Sequence, residues 1–199
     1  MIITNLIPSR CTCPSSVQNM ADHAKQILAD SFQRVRERVV DLTDDLTDEI
    51  AFYRPDPEAN SIAWLVWHLS RIQDDHVAHL AQVEQVWPSW RERFGLPFGK
   101  WATGYGQSPE EVGKVRVSGD LLGEYHREVH ELTMRYLDDI TPDELDRIVD
   151  TRWDPPVTAA VRLVSVVGDT LQHLGQAGYV RGLASRRDKM WHQPSSADR

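Results

Sequence analysis

The stretch VVGDTLQHLGQAGYV, Val166 to Val180, has the pattern of a buried helix that also carries two reactive groups. Its small and branched apolar residues recur at helical spacing, so most of its surface is expected to be buried. Asp169 and His173 nevertheless lie one turn apart on the same stripe, with Gln176 just beyond them. Any account of this chain must explain why a helix built for burial places a carboxylate beside an imidazole.

Arg162 and Ser165 lie on the same stripe as Asp169 and His173. A stripe that faces water is usually crowded with lysine and glutamate, and this one has neither. The stripe therefore resembles the lining of a polar cavity more than a solvated face, although an ordinary amphipathic helix stays an alternative. A carboxylate and an imidazole at i and i+4 can converge on one ion, but this spacing alone is a weak metal-binding signal.

Helical periodicity dominates the whole chain, and no convincing alternating strand is found. The capping sequence SPEEV, with Ser108 as the cap, introduces the third helix, which GKVRVSG interrupts before its main body, and TPDEL at Thr141 repeats the signature for a short helix. Four long amphipathic helices bury their apolar sides best as a bundle, so the sequence predicts an all-α four-helix bundle. The four helices are predicted at Asp22–Leu46, Ile62–Trp87, Asp120–Asp139 and Val157–Leu183.

A chain of 199 residues has room for one domain with a substantial core. We predict a flexible N-terminal tail over residues 1–20, the bundle over 21–184 and a C-terminal tail over 185–199. Cys11 and Cys13 are the only cysteines and fall in the first tail, which excludes a disulfide framework and favours a reducing cytoplasm.

Composition limits the classes of partner. The net charge of −8 argues against nucleic acid, because binding to phosphates needs a basic face. No apolar run approaches the roughly 20 residues that a membrane-spanning helix needs. The sequence therefore predicts a cytoplasmic protein that binds neither nucleic acid nor membrane.

The connection between the second and third long helices is unusually aromatic. Between Trp87 and Tyr105 it holds six aromatic side chains. A long connection this rich in rings usually folds over another part of the protein. One possibility is that the connection covers the open side of the bundle or forms a dimer contact. The other is that it builds the wall of a pocket, and the sequence does not distinguish between the two.

The second helix supplies a further candidate in WLVWHLSRI, where His68 is surrounded by apolar residues that include Trp64. A lone histidine in such a setting is more often a core residue satisfied by one hydrogen bond than a metal ligand. Asp75 and His79 continue its stripe and repeat the DxxxH spacing. They lie about 10 Å further along the helix, too far to share one ion with His68, so they either extend a polar seam or face water.

The third long helix contains a histidine pair at the same spacing, His126 and His130 in EYHREVHEL. The pair lies at the margin between the apolar and the charged faces, which favours a partly solvated surface position. The chain has no ExxH pair typical of di-iron bundles, no glycine-rich phosphate loop and no GxSxG nucleophile motif.

With these residues identified, the chain resembles the DinB-like superfamily, in the branch related to mycothiol-dependent maleylpyruvate isomerase and other thiol S-transferases. Two blocks carry the resemblance: NSIAWLVWHLSRIQDDH in the second helix and DTLQHLGQAGYVRGL in the last. Their order and their separation also fit, and the similarity extends over about residues 21–183.

The resemblance implies a four-helix bundle with a divalent metal held by one residue of the second helix and two of the last. Transferred to this sequence, the ligands are His68, Asp169 and His173. Many relatives have histidine where this chain has Asp169, whereas the mycothiol branch can have an acidic residue there. This mixed ligand set suits Zn, Ni, Fe(II) or Mn, and three protein ligands leave the metal room for a reactant.

The expected function is that of a metal-dependent enzyme, a thiol S-transferase or a related transferase or hydrolase, that activates mycothiol or another low-molecular-weight thiol toward a small electrophile. The alternatives are a non-catalytic metal- or ligand-binding bundle of a stress response, and a simple helical dimerisation module. A homodimer is compatible with all three. The residues expected to orient a ligand or to contact the substrate are Gln176, Ser165, Arg162, Arg181, Asp75 and Trp64.

Overall fold

The computed structural model describes the backbone of residues 14–191 and the side chains of residues 22–187. Cys11 and Cys13, and most of the two predicted tails, lie outside these ranges. The four long helices are α1 (Pro14–Thr43), α3 (Ile62–Ala81), α6 (Gly119–Asp138) and α8 (Ala159–Trp191). The shorter elements are α2 (Asp48–Ala51), α4 (Trp87–Phe94), α5 (Pro109–Val112), α7 (Pro142–Asp146), β1 (Ile148–Asp150) and β2 (Val157–Thr158). The predicted all-α bundle is confirmed.

Helix α3 packs against both α6 and α8. It begins where the hydroxyl of Ser61 accepts the backbone N–H of Trp64 at 3.1 Å, which satisfies one of the free donors of the first turn. Fifteen of its 20 residues are buried, including Trp67 and Arg71, as expected of a helix with neighbours on more than one side. The polar side chains of α3 are therefore held in fixed positions by the packing around this helix.

The prediction that the second long helix continues to Trp87 is wrong, because α3 ends at Ala81. Gln82 adopts a left-handed conformation with a φ of 55° and turns the chain back. The returning segment is held by Asp74, whose carboxylate accepts the backbone N–H groups of Val86 and Trp87 at 2.9 and 2.8 Å. Because the turn depends on this contact with Asp74, the sequence around residue 82 gives no indication that the helix ends there.

Two further boundaries differ from the prediction. Helix α1 begins at Pro14, not near Asp22, and α8 runs from Ala159 through to Trp191, not from Val157 to Leu183. Residues 157 and 158 instead pair with β1 in a small antiparallel hairpin that the helical periodicity did not predict. Strands this short carry too few residues to show an alternating pattern.

The aromatic connection is not a loop over its full length, since its first part forms α4. Trp87, Trp90 and Phe94 are buried and their rings contact the ring of Tyr125 on α6, with centroids 5.5 to 5.9 Å apart. Trp101 and Tyr105 are exposed. The first half of the connection therefore covers the core.

No helix within the described residues is both long enough and apolar enough to span a bilayer.

The expectation that His126 and His130 form a partly solvated pair is wrong for His126, which is fully buried. Neither of its ring nitrogens has a hydrogen-bond partner among the described residues. Burial lowers the pKa of His126 to about 3, and the nearby charge of Arg36 on α1 and the ring of His130 act in the same direction. His126 is therefore neutral in the folded chain, enclosed between α6 and α1.

This burial predicts a loss of stability in acid. Above about pH 6.5 the His126 ring is neutral in the folded and in the unfolded chain, so it does not change stability with pH. Below that pH the ring is protonated in the unfolded chain, whereas in the folded chain it stays neutral until about pH 3. The free energy of unfolding should therefore fall by about 1.4 kcal/mol per pH unit from this residue alone. Urea denaturation of the wild type and of His126→Leu at several pH values between 7.5 and 4.5 measures the difference.

In that experiment the free energy of unfolding of His126→Leu should fall less steeply with decreasing pH than that of the wild type. The difference in slope should be about 1.4 kcal/mol per pH unit, the effect of one proton. His23→Leu, which removes an exposed histidine of α1, should keep the wild-type slope. Equal slopes for the wild type and His126→Leu would contradict the buried neutral state of His126.

Candidate metal centre

Three side chains from two helices converge between α3 and α8. His68 comes from α3, and Asp169 and His173 come from α8; each offers a ligand atom, and these atoms all lie within 4.8 Å of one another. His173 Nε2 is 3.7 Å from Asp169 Oδ1, and the centroids of the two imidazole rings are 4.8 Å apart. The structure therefore brings together the three residues that the sequence comparison of the two blocks singled out.

Hydrogen bonds to the other ring nitrogen leave Nε2 of both histidines free. Nδ1–H of His68 donates to the carbonyl oxygen of Thr103 at 2.6 Å, and Nδ1–H of His173 donates to Oε1 of Gln176 at 3.0 Å. Burial lowers the pKa of His68, and the neighbouring His173 adds to this effect, so the His68 ring is neutral at neutral pH. A neutral imidazole with its second nitrogen held is the form that binds a metal.

Asp169 provides the clearest sign that the cluster suits a cation. Its Oδ2 is buried and has no hydrogen-bond partner among the described residues. An isolated buried carboxylate oxygen is costly, and here it lies beside two imidazoles whose free nitrogens are also electron-pair donors. Three electron-pair donors facing one another fit a divalent metal ion with mixed nitrogen and oxygen ligands.

The segment 102–107, called here the strap, lies against His68 on the side of α3. Its Thr103 carbonyl accepts from His68, and at its far end Oε1 of Gln107 accepts the indole N–H of Trp64 at 2.7 Å. The ring of Trp64 stacks on the ring of His68, with centroids 4.6 Å apart and planes 16° from parallel. His68 is thus held between an aromatic ring and a stretch of backbone.

Gly104 allows the strap to come this close. Its φ of 98° is a conformation that L-residues rarely adopt, and a Cβ on this residue would stand 2.8 Å from His68 Nδ1 and 3.0 Å from the ring of Trp67. Only glycine meets both requirements, the backbone conformation and the close approach.

A buried polar network also binds the strap. Arg71, one turn after His68, donates from Nε to the carbonyl of Ala102 at 3.1 Å. Its guanidinium also donates to Asp74 and to the hydroxyl of Tyr125, both at 3.1 Å. Arg71 and Asp74 have no exposed side-chain surface, so this ion pair is fully enclosed. Two successive carbonyls of the strap are therefore bound by two side chains of α3.

The other predicted contact residues are distributed along the α3–α8 groove, with two exceptions. Trp64 and Gln176 contact the triad as described, and Arg162 lies further along α8, with its guanidinium 3.1 Å from Asp150. Asp75 accepts from Gln85 at 2.7 Å in the same groove. Ser165 is exposed and makes no hydrogen bond with the triad in the part of the chain that the structure describes.

The second exception is Arg181, which the sequence suggested as a contact for an anionic substrate. Its guanidinium donates to the backbone carbonyls of Asp41 and Asp44, at the C-terminal end of α1. A cation at this position offsets the negative end of the α1 dipole, so the guanidinium is already occupied. No sequence pattern indicates this pairing, because the two helices meet only in the folded chain.

Sequence reasoning did not identify the residues that position His68, namely Thr103, Gly104, Gln107 and Arg71. Thr103 acts through its backbone carbonyl, which leaves no trace in the identity of the side chain. The only available signal was the pair Gly104 and Gly106 in the aromatic connection, since closely spaced glycines mark backbone that approaches another group.

Comparison with known proteins agrees with the fold. The model of a family described as mycothiol S-transferase matches residues 27–185. A conserved protein from Enterococcus faecalis with a known crystal structure superposes with a TM-score of 0.75 and is 34% identical, over 80% of this chain and 95% of its own. No curated protein matches the chain significantly.

The close contact of Gly104 with His68 predicts a selective effect on metal binding. Gly104→Ala should push the strap away from His68 and break the bond to Thr103, and the affinity for Zn²⁺ or Ni²⁺ should fall by about tenfold or more, as is typical when a ligand loses its supporting hydrogen bond. Isothermal titration of the purified protein measures this affinity.

Gly106→Ala is the matched control. Gly106 also has a positive φ, 72°, but a Cβ there would meet nothing within 4 Å. Both variants therefore carry comparable backbone strain and only one displaces the strap from His68. Equal affinities in the two variants would show that the strap does not position the histidine.

Proposed function

The chain belongs to the mycothiol S-transferase family, within the DinB-like proteins, and on this basis we propose that it is a metal-dependent thiol S-transferase. In this proposal His68, Asp169 and His173 hold a divalent metal ion. The thiol is mycothiol or another low-molecular-weight thiol, and the acceptor is a small electrophile. A reducing cytoplasm, where such thiols are kept reduced, is the compartment that fits this activity.

The observation that carries the proposal is the orientation of the three donor atoms. Both histidines use Nδ1–H for hydrogen bonds within the protein and keep Nε2 free, while a buried oxygen of Asp169 has no partner among the described residues. A divalent ion held there would lower the pKa of a coordinated thiol, so that the thiolate is available at neutral pH.

The surrounding residues have separate tasks in this proposal. Gln176 orients His173, and the strap and Trp64 orient His68 and exclude water from one side of the site. During transfer the thiol sulfur forms a bond to the electrophilic carbon, and the leaving group departs with the electron pair of the bond that breaks. The thiol proton passes to solvent, which reaches the site beside the partly exposed Asp169.

The test combines metal analysis with a conjugation assay. Protein purified without chelator should contain close to one divalent ion per chain, and should accelerate the reaction of mycothiol with 1-chloro-2,4-dinitrobenzene only when that ion is present. Asp169→Asn keeps the shape of the side chain but removes its charge, and should lower both the metal content and the rate by about tenfold or more. His130→Ala, a change outside the triad, should leave both unchanged.

Each outcome separates the proposal from its alternatives. Bound metal without turnover of mycothiol or any other low-molecular-weight thiol would favour a binding protein without catalysis. No bound metal, together with a loss of stability alone in His68→Ala, would favour a structural role for the histidine and would overturn the metal site as well.

A further inference from the structure

A cavity of about 660 Å³ is lined by residues of α3, α8 and β1 that lie further along the two helices than the triad does. His68, Asp75 and His79 lie on one stripe of α3, and His173, Asp169 and Arg162 lie on one stripe of α8. The two helices are antiparallel, because His68 lies beside His173 while Asp75 and His79 line the cavity together with Arg162. The triad and the cavity therefore occupy successive positions along the same pair of helices.

The separation between the triad and the cavity follows from the helix repeat. Seven residues separate His68 from Asp75, and seven separate Asp169 from Arg162, which corresponds to about 10 Å along each axis. His76, which lines the cavity, is close enough to both Asp169 and Arg162 for their charges to act on it. A ligand with one end at the triad and its body in the cavity must span about this distance.

The charges in the cavity are already balanced. Asp150 accepts from Arg152 at 2.8 Å and from Arg162 at 3.1 Å, and Asp75 accepts from the amide of Gln85 at 2.7 Å. An anionic ligand would meet two carboxylates, and a cationic ligand would meet two guanidinium groups. The cavity therefore favours a ligand without net charge.

Hydrogen-bonding groups nevertheless remain available along the wall. The imidazole of His79 and the hydroxyl of Thr151 line the cavity, and neither side chain has a hydrogen-bond partner among the described residues. The carboxylates and guanidinium groups can each accept or donate further bonds, since neither Asp75 nor Arg162 has all of its sites filled. Apolar lining is limited to Ala78, Val83 and Val149. Alternating donors and acceptors around a neutral ligand favour a molecule rich in hydroxyl and amide groups.

We propose that this cavity binds the uncharged, hydroxyl-rich body of the thiol, with the sulfur placed at the triad. The inference rests on the proposed function. Mycothiol has this chemistry, since its cysteine is joined through an amide to a glucosaminyl-inositol body. Arg162, Asp75 and His79 are the residues that select the thiol, and they act at a distance from the bond that forms.

The experiment compares two arginines at the edges of different cavities. Arg162→Gln should raise the KM for mycothiol by about tenfold, because a hydrogen bond to the sugar body is lost, and should leave kcat and metal content within twofold of the wild type. Arg135→Gln is the control, because the exposed Arg135 lines a separate cavity of about 560 Å³. It should leave the KM unchanged. His79→Ala is a second test variant at an exposed position, where misfolding is not expected.

A binding measurement without turnover makes the result independent of catalysis. N-acetylglucosaminyl-inositol, which carries no thiol, should bind to the wild type and compete with mycothiol, and should bind at least tenfold more weakly to Arg162→Gln. An equal KM in Arg162→Gln and Arg135→Gln, or failure of this sugar to bind the wild type, would overturn the inference.

The two proposals can fail separately. If the wild type conjugates mycothiol but the sugar does not bind, the transferase function stands and the cavity assignment fails. If the wild type shows no conjugation with any thiol, the transferase function fails, and binding of the sugar with its loss in Arg162→Gln would still support the cavity assignment.

Discussion

The hydrogen bond from His68 Nδ1–H to the carbonyl of Thr103 is the interaction on which the candidate site depends. It fixes which ring nitrogen carries the proton, and so determines that Nε2 faces Asp169 and His173. Without this bond the ring could rotate or change tautomer, and the three donor atoms would no longer face one another. The bond in turn requires that a stretch of backbone approach α3 closely, which Gly104 permits.

The support for that backbone comes from a fully buried ion pair. Arg71 binds the Ala102 carbonyl and is itself held by Asp74 and Tyr125, while Asp74 also anchors the first turn of α4. Enclosed ion pairs often add little net stability, although losing one partner is costly. This pair links α3, the strap, α4 and α6 at a single point, so the aromatic connection is joined to the same helix that carries His68.

The fold could be predicted from the sequence because its main signals are local. Apolar residues at helical spacing predicted the four long helices, and the capping sequence at Thr141 predicted the short helix α7. The capping box at Ser108 is also present, but it begins α5, a separate short helix, and the third long helix starts with its own cap at Ser118. The end of α3 at Ala81 was missed because it depends on Asp74 holding backbone twelve and thirteen residues away. The hairpin was missed because its strands are too short to show an alternation of apolar and polar residues.

The residues of the candidate site also fall into those that local spacing could predict and those that depend on distant contacts. Spacing on one helix suggested that Asp169 and His173 act together, and the family resemblance added His68 from another helix. The partners of these residues are backbone groups and distant side chains, so no spacing rule could find Thr103 or Arg71. His126 shows the opposite error: its i, i+4 partner and charged neighbours suggested an exposed pair, while packing against α1 encloses it.

The most direct measurement is anomalous diffraction from crystals of the protein purified without chelator, recorded on both sides of the absorption edges of zinc, nickel, iron and manganese. One peak is expected between α3 and α8, within bonding distance of His68 Nε2, His173 Nε2 and a carboxylate oxygen of Asp169. A protein that has no such peak even after soaking with these metals, or that binds them elsewhere with the three side chains apart, would contradict it.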